Sequence, residues 1–339
     1  MNAGKVLRES IPVDGSKVSD DIIEAFRIAH AWRHSFEAPM RDVRQELSFR
    51  NTKLELGGST AGRLKRMTSI RRKLKSRSLY QIQDIGGCRI ILPCLAEVQI
   101  VSDYYLEGQS RHEFLSEDNY ISNPRATGYR SRHFILKVAG FPDDRQRIEV
   151  QVRTRLQHAW ATAVEAAGLW LGQNLKAGEG DSRWLELFAL MSQFITEEEG
   201  THSVPGIASS AVNRKARLRE LEADIDAIAT LDGLRSAFKS IHPTRASGLL
   251  LLEFDATKKR LTVSNYSWAS SPDRYAAAER DALSNSVVVD VDSIEDLKAA
   301  YPNYFLDVEM FVQRLRSATG FSISAPTTIK FPPGAWRRK

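Results

Sequence analysis

The stretch that most constrains this chain is Ile148 to Arg153, where apolar and polar residues alternate without exception. Successive side chains of an extended strand point to opposite faces, so Ile148, Val150 and Val152 share one face and Glu149, Gln151 and Arg153 the other. One face is a core face; the other is a row of carboxylate, amide and guanidinium. Alone, the pattern fits an ordinary half-exposed strand of an antiparallel sheet. Its neighbours are one-sided too. His133 precedes it on a strand whose other face is Phe134, Leu136 and Val138. The helix that follows carries His158, Thr162 and Glu165 on one stripe and Leu156, Trp160, Ala163 and Ala167 on another. Three consecutive elements can therefore turn polar faces toward one cleft.

The rest of the chain is long enough, at 339 residues, for a main domain and a smaller one. It contains no run of about 18 uncharged apolar residues to span a bilayer, and the N-terminus lacks the apolar core of a signal peptide. The expected compartment is the cytoplasm, with no membrane partner. Cys88 and Cys94, the only cysteines, are too few for a disulfide framework or a zinc site and read as buried strand residues.

The net charge of +6 suits polyanionic substrates without identifying one. Its placement says more: from Arg63 to Arg77 there are eight basic residues and no acidic one, which reads as one basic helix. Lys65, Ser69 and Lys73 fall at successive i+4 positions, a row that can follow a triphosphate or simply face solvent. Gly86-Gly87 then leads into a buried strand, with Asp84 at its mouth, where a carboxylate can hold a metal or close a turn. A charged helix is expected from Asn213 to Ile241, and His242-Pro243-Thr244 breaks it. Beyond that break the pattern predicts strands at Gly248–Asp255, Arg260–Tyr266 and Val287–Val291 and helices at Arg274–Leu283 and within Ile294–Ala318. The division is therefore 1–242 and 243–339.

With these motifs in place, the chain resembles the RelA/SpoT-type alarmone synthetases from about residue 20 to residue 195. Arg63-x-Lys65-x-x-x-Ser69-x-x-x-Lys73 resembles the family's ATP-phosphate helix, and Asp84-Ile-Gly-Gly-x-Arg89 its metal-aspartate strand. Asn123-Pro124-Arg125-x-x-Gly128-Tyr129-Arg130-Ser131-x-His133 resembles its acceptor loop, and Glu149-x-Gln151-x-Arg153-Thr154 the strand with the second catalytic carboxylate. The resemblance implies an α+β fold, a mixed β-sheet flanked by helices of the nucleotidyltransferase-like kind, with a small C-terminal α+β regulatory domain. It implies ATP as co-substrate and Mg²⁺ on Asp84 and Glu149, with Glu149 also taking the acceptor's proton. Arg63 and Arg89 would flank the adenine, while Lys65, Ser69 and Lys73 contact the phosphates. Tyr129 would stack on the acceptor base. Arg125, Arg130, Arg132, His133, Gln151, Arg153, His158 and Glu165 would complete the acceptor side.

Two departures refine the expectation. Thr127 stands where many members carry the asparagine that helps read guanine. The segment from Gln157 to Gly178 is more like the toxic small alarmone synthetases, several of which modify the CCA end of tRNA and stop translation. Tyr301-x-x-Tyr304 resembles the tail of the fused toxin-antitoxin CapRel family, in which such an element blocks the ATP site until a phage structural protein captures it. The leading expectation is a self-inhibited tRNA pyrophosphokinase of phage defence. The alternatives are a soluble synthetase of (p)ppGpp or (p)ppApp using guanine or adenine nucleotides, and a catalytically silent RNA- or nucleotide-binding regulator.

Overall fold

The computed structural model describes residues 3–8, 20–141, 146–208, 210–237, 239–241, 248–255, 260–265, 284–291 and 308–320. They form an α+β fold with helices flanking a mixed sheet, as the sequence predicts. The helices are α1 (Ala3–Arg8), α2 (Asp20–His34), α3 (Glu37–Lys53), α4 (Met67–Leu74), α5 (Leu95–Leu106), α6 (Arg155–Leu171), α7 (Ser182–Glu199), α8 (Ala211–Ile225), α9 (Ala227–Ala237) and α10 (Glu309–Thr319). The strands are β1 (Ser59–Leu64), β2 (Gly86–Leu92), β3 (Glu113–Asn119), β4 (Arg132–Lys137), β5 (Arg147–Thr154), β6 (Lys239–Ile241), β7 (Gly248–Asp255), β8 (Arg260–Asn265) and β9 (Ser284–Val291).

The sheet order is β3-β4-β5-β2-β1-β9-β7-β8-β6. The pairs β2·β5 and β6·β8 run parallel and the others antiparallel. The alternation of β5 works as read: Ile148, Val150 and Val152 join Ile90 and Leu92 of β2 and Phe134 and Leu136 of β4 in a core with Phe36, Met40 and Tyr105. A second core lies within the helices, where Trp160 and Val164 of α6, Leu187 and Phe188 of α7, Leu218 of α8 and Leu231 of α9 meet. The capping box that opens α6 explains why β5 turns sharply into it. The Thr154 hydroxyl accepts from Gln157 N at 3.1 Å, and the Gln157 side chain accepts from Thr154 N at 3.3 Å.

Several local expectations are corrected. The basic run is not one helix: Arg63 and Leu64 lie in β1, paired with Gly87 and Gly86, and only Met67–Leu74 is helical. Strand pairing with β2 overrides the charge pattern. The segment expected as one helix from Asn213 to Ile241 breaks at Asp226, which is left-handed (φ 49°). Glu222 there accepts from Ile228 N at 3.2 and 3.1 Å and starts α9 afresh. Cys88 is buried in β2, but Cys94 is exposed ahead of α5. The residues expected to form a helix at 274–283 lie outside the described residues. On the far side of His242, β9 pairs with β1 at Gly62↔Asp290 and Arg63↔Val289, and α10 buries Phe311, Val312 and Leu315 in the helical core. Among the described residues no helix is long and apolar enough to cross a membrane.

Candidate active site

Strand register places most of the polar residues before any side-chain detail is needed. Gly87 of β2 stands opposite Arg63 of β1 and Glu149 of β5; Arg89 stands opposite Ala61 and Gln151. His133 of β4 pairs with Gln151 on one side and with Asp118 of β3 on the other. Directly opposed residues share a face. Arg63, Arg89, Glu149, Gln151, Arg153, His133 and Asp118 therefore lie on one face, opposite the apolar core. This face floors a cavity of about 450 Å³. At Gly87 a Cβ would meet only backbone, no closer than 3.8 Å, so glycine leaves the floor open between Arg63 and Glu149.

Across this floor runs a chain of hydrogen bonds. Arg89 donates to Gln151 Oε1 at 3.4 Å, and Gln151 Nε2 donates to Glu149 Oε2 at 2.7 Å. His133 Nδ1 lies 3.0 Å from Glu149 Oε1, and His133 Nε2 lies 2.7 Å from Tyr129 Oη. The carboxylate needs a donor at Nδ1, so Nε2 accepts the tyrosine O–H. Burial raises the Glu149 pKa, but the His133 and Gln151 donors and the charge of Lys65 outweigh it and hold the carboxyl well below its usual range. Tyr120 packs edge-on against both Tyr129 and His133, and Arg125 lies 4.5 Å above the Tyr120 ring.

At the other end, Asp84 Oδ2 accepts from Lys65 Nζ at 2.6 Å and Lys73 Nζ at 2.7 Å. Burial raises the Asp84 pKa and so does the charge of Glu149, yet the two ammonium groups win and the carboxyl stays ionised below its ordinary value. Asp84 and Glu149 line the same cavity. Asp84 Oδ1 is buried without a hydrogen-bond partner. Two carboxylates, one with an orphaned oxygen, suit Mg²⁺, which takes few protein oxygens and completes its shell with phosphate oxygens and water. Among the described residues no group of three or more His, Cys, Asp or Glu could hold an ion by itself, so the remaining ligands would come from substrate and solvent.

Of the residues singled out in the sequence, Asp84, Glu149, Arg63, Lys65, Lys73, Arg89, Arg125, Tyr129, His133 and Gln151 line this cavity. Ser69 does not. Arg153 is on the floor face but buried beneath it, its guanidinium on His158 Nδ1. Arg130 is turned inward, donating to Ser192 O at 2.8 Å and Thr201 Oγ1 at 3.1 Å. It ties the loop that carries Gly128 to α7, as does Ser192 Oγ donating to Gly128 O at 2.6 Å. Arg132 points to the core side and bonds Glu117 and Gln99. Its parity with Phe134 and Leu136 already carried that information. Glu165 of α6 holds Lys176, and Tyr301 and Tyr304 lie outside the described residues. Sequence reading missed Lys176, Arg77, Asp118 and Tyr120 as lining residues; only Asp118 and Tyr120 could have been found, by carrying the strand pairing one strand further.

Residues 62–170 match the family model described as "Region found in RelA / SpoT proteins", and the match spans this whole floor from β1 to α6. The chain is 27% identical over 172 residues to a GTP pyrophosphokinase of Escherichia coli (strain K12), covering 49% of this chain and 21% of that protein. It is 33% identical over 113 residues to the GTP pyrophosphokinase YjbM of Bacillus subtilis (strain 168), covering 30% of this chain and 51% of the relative. Thus it spans about a fifth of the length of one relative and half of the other. The crystal structure of small alarmone synthetase 2 from Bacillus subtilis superposes with a TM-score of 0.44 at 18% identity, over 50% of this chain and 93% of that one.

Proposed function

We propose that the cavity is the active site of an ATP-dependent pyrophosphokinase. The observation that carries this reading is the meeting of Asp84 and Glu149, far apart in sequence, in one cavity beside Lys65 and Lys73. Lys65, Lys73 and Arg77 supply positive charge for a triphosphate. Mg²⁺ held by Asp84 and Glu149 would neutralise charge on the phosphate oxygens. The acceptor hydroxyl gives its proton to Glu149, its oxygen bonds to the β-phosphorus of ATP, and the bond from that phosphorus to the α-phosphate oxygen breaks, releasing AMP. Glu149 is ionised at neutral pH, and its hydrogen bonds to His133 and Gln151 leave lone pairs for the incoming proton. The rest is positioning.

The acceptor we propose is the 3′-hydroxyl of the terminal adenosine of tRNA. Thr127, in the cavity wall, replaces the asparagine associated with guanine, and Arg125 on the exposed rim can meet a phosphate. A guanine nucleotide is the second reading, favoured by the names of the relatives. Inhibition by Tyr301 and Tyr304, and release by a phage structural protein, rest on the resemblance of the Tyr-x-x-Tyr element. The test is incubation of wild type and of the Tyr304→Ala protein with β,γ-labelled ATP and GDP, GTP, AMP or deacylated tRNA in parallel, the released protein being the one read. Transfer to tRNA is expected, with Glu149→Gln and Asp84→Asn inactive; label on GDP or GTP alone shifts the assignment to a soluble alarmone, and full activity in either variant refutes the carboxylate roles.

A further inference from the structure

Arg63 and Arg89 occupy diagonal corners of a four-residue patch on β1 and β2, with Ala61 and Gly87 at the other corners. Diagonal neighbours on one sheet face stand about 7–8 Å apart. That is roughly twice the 3.5–4.0 Å of a carbon contact, the spacing a flat ring needs to touch a side chain on each of its faces. The small corners leave it room to descend: Ala61 is 1% exposed, and Gly87 has no side chain. A slot of this kind grips any aromatic base without telling one from another.

Something else must read the base edge, and one pair of polar side chains is placed to do so. Lys176, on the short turn Leu175–Ala177 after α6, lines the cavity together with both arginines. Its ammonium is ion-paired with Glu165 of α6. The Lys176 side chain is 49% exposed and that of Glu165 22%, so the pair is half-open, with Lys176 at the cavity wall and Glu165 beside it. The positive charges of Arg63 and Arg89 act on both groups. The turn is braced from behind. Gly168, at the close approach of α6 to residues 173–175, would meet Gln173 O at 2.8 Å with any side chain, and Gly178 sits against Thr127.

We propose that Glu165 and Lys176 are the specificity-determining residues for the donor base, reading the edge of a purine stacked between Arg63 and Arg89. This deepens the reading of the cavity as an ATP site and rests on it. Adenine presents an amino donor beside a ring-nitrogen acceptor, whereas the major-groove edge of guanine presents two acceptors. A carboxylate beside an ammonium answers a donor beside an acceptor. The guanine edge with two acceptors would set one of them against the Glu165 carboxylate. The pair thus favours adenine over guanine at the donor site, and Glu165 belongs to donor recognition where the motif comparison had put it on the acceptor side.

The experiment is calorimetric binding to the full-length chain carrying Tyr304→Ala, which keeps the proposed tail element out of the ATP site, with Mg²⁺, a non-hydrolysable ATP analogue, the matching GTP analogue and inorganic tripolyphosphate. Lys176→Met and Glu165→Ala added to Tyr304→Ala are compared with Tyr304→Ala alone, with thermal melting to confirm folding. Both variants are expected to lose roughly tenfold or more in affinity for the ATP analogue, the range of one paired base contact, and much of the preference for ATP over GTP. Glu165→Ala is the sharper arm. Removing its negative charge can only favour polyphosphate, so tripolyphosphate should bind as well or better while the ATP analogue binds worse. Unchanged ATP affinity overturns the inference and leaves the proposed activity standing. Parallel losses for ATP and tripolyphosphate in both variants overturn it as well. A Tyr304→Ala protein that binds no ATP analogue would instead sink the proposed activity, and the inference with it.

Discussion

His133 is the most informative single residue to perturb, because it bonds two different parts of the candidate machinery at once. Its Nδ1 lies 3.0 Å from Glu149 Oε1 and its Nε2 2.7 Å from Tyr129 Oη. The side chains of His133 and Glu149 are 13% and 16% exposed, so solvent screens the contact little. A hydrogen bond to a charged group contributes about 1.5–3 kcal/mol; His133→Ala should cost that much in unfolding free energy at neutral pH, with a smaller share from the tyrosine bond. The pH dependence identifies the source. The folded Glu149 carboxyl titrates below its unfolded value of 4.5, so its stabilisation is fully present above that value and is lost as pH falls through the folded pKa. Urea unfolding of wild type and His133→Ala across pH 3–8 should therefore show a gap that is widest near neutrality and narrows below about 4.5. Tyr129→Phe, which keeps the ring and removes the hydroxyl, should cost only about 0.5–1.5 kcal/mol and show no such narrowing. A His133→Ala gap that stays constant with pH would mean that the imidazole only fills space, and the account of Glu149 given above would fail.

Three further outcomes are expected. Glu222 is 5% exposed, and burial lifts its carboxyl to about 7; because the folded value lies above the unfolded 4.5, stability is lost as pH rises between the two. Glu222→Gln should thus be more stable than wild type by about 2–3 kcal/mol at pH 8 and no different at pH 4, as measured by denaturant titration. Leu315→Ala in α10, a fully buried position, should cost about 2–5 kcal/mol, and a cost under 1 kcal/mol would show that α10 does not pack into the helical core. Gly128→Ala places a methyl 2.7 Å from Ser192 Cβ at a φ of +91°. It should displace the acceptor loop and raise the acceptor KM with little change in ATP binding; an unchanged KM would dissociate this loop from the acceptor.

The position of α10 also changes how C-terminal control is to be tested. Deleting residues 243–339 would remove Phe311, Val312 and Leu315 from the helical core and strip β9 from the strand that carries Arg63. At about 1.5–3 kcal/mol for each buried apolar side chain, the loss rivals the stability of a whole domain. Point substitution at Tyr304 is the cleaner experiment. A rise in activity without any trigger is the expected result, and an unchanged rate would argue against inhibition by the tail.

What the sequence by itself determined is the floor of the site. Period-two alternation is a local property of extended backbone, so Glu149, Gln151 and Arg153 had to share a face opposite Ile148, Val150 and Val152, whatever the rest of the chain did. The same rule, applied to β4, separates His133 from Arg132. Tertiary structure alone decided the partners across strands and beyond them: that Arg63 belongs to a strand and not a helix, that Arg63 and Arg89 stand diagonally across Gly87, and that Lys176 returns from beyond α6 to meet Glu165 at the cavity wall. It also decided that Arg130 would spend its charge on the backbone of α7. Charge patterns give no direction in space. Only the pairing of distant strands and the packing of helices fix which basic side chains face the cavity and which are taken up by the fold.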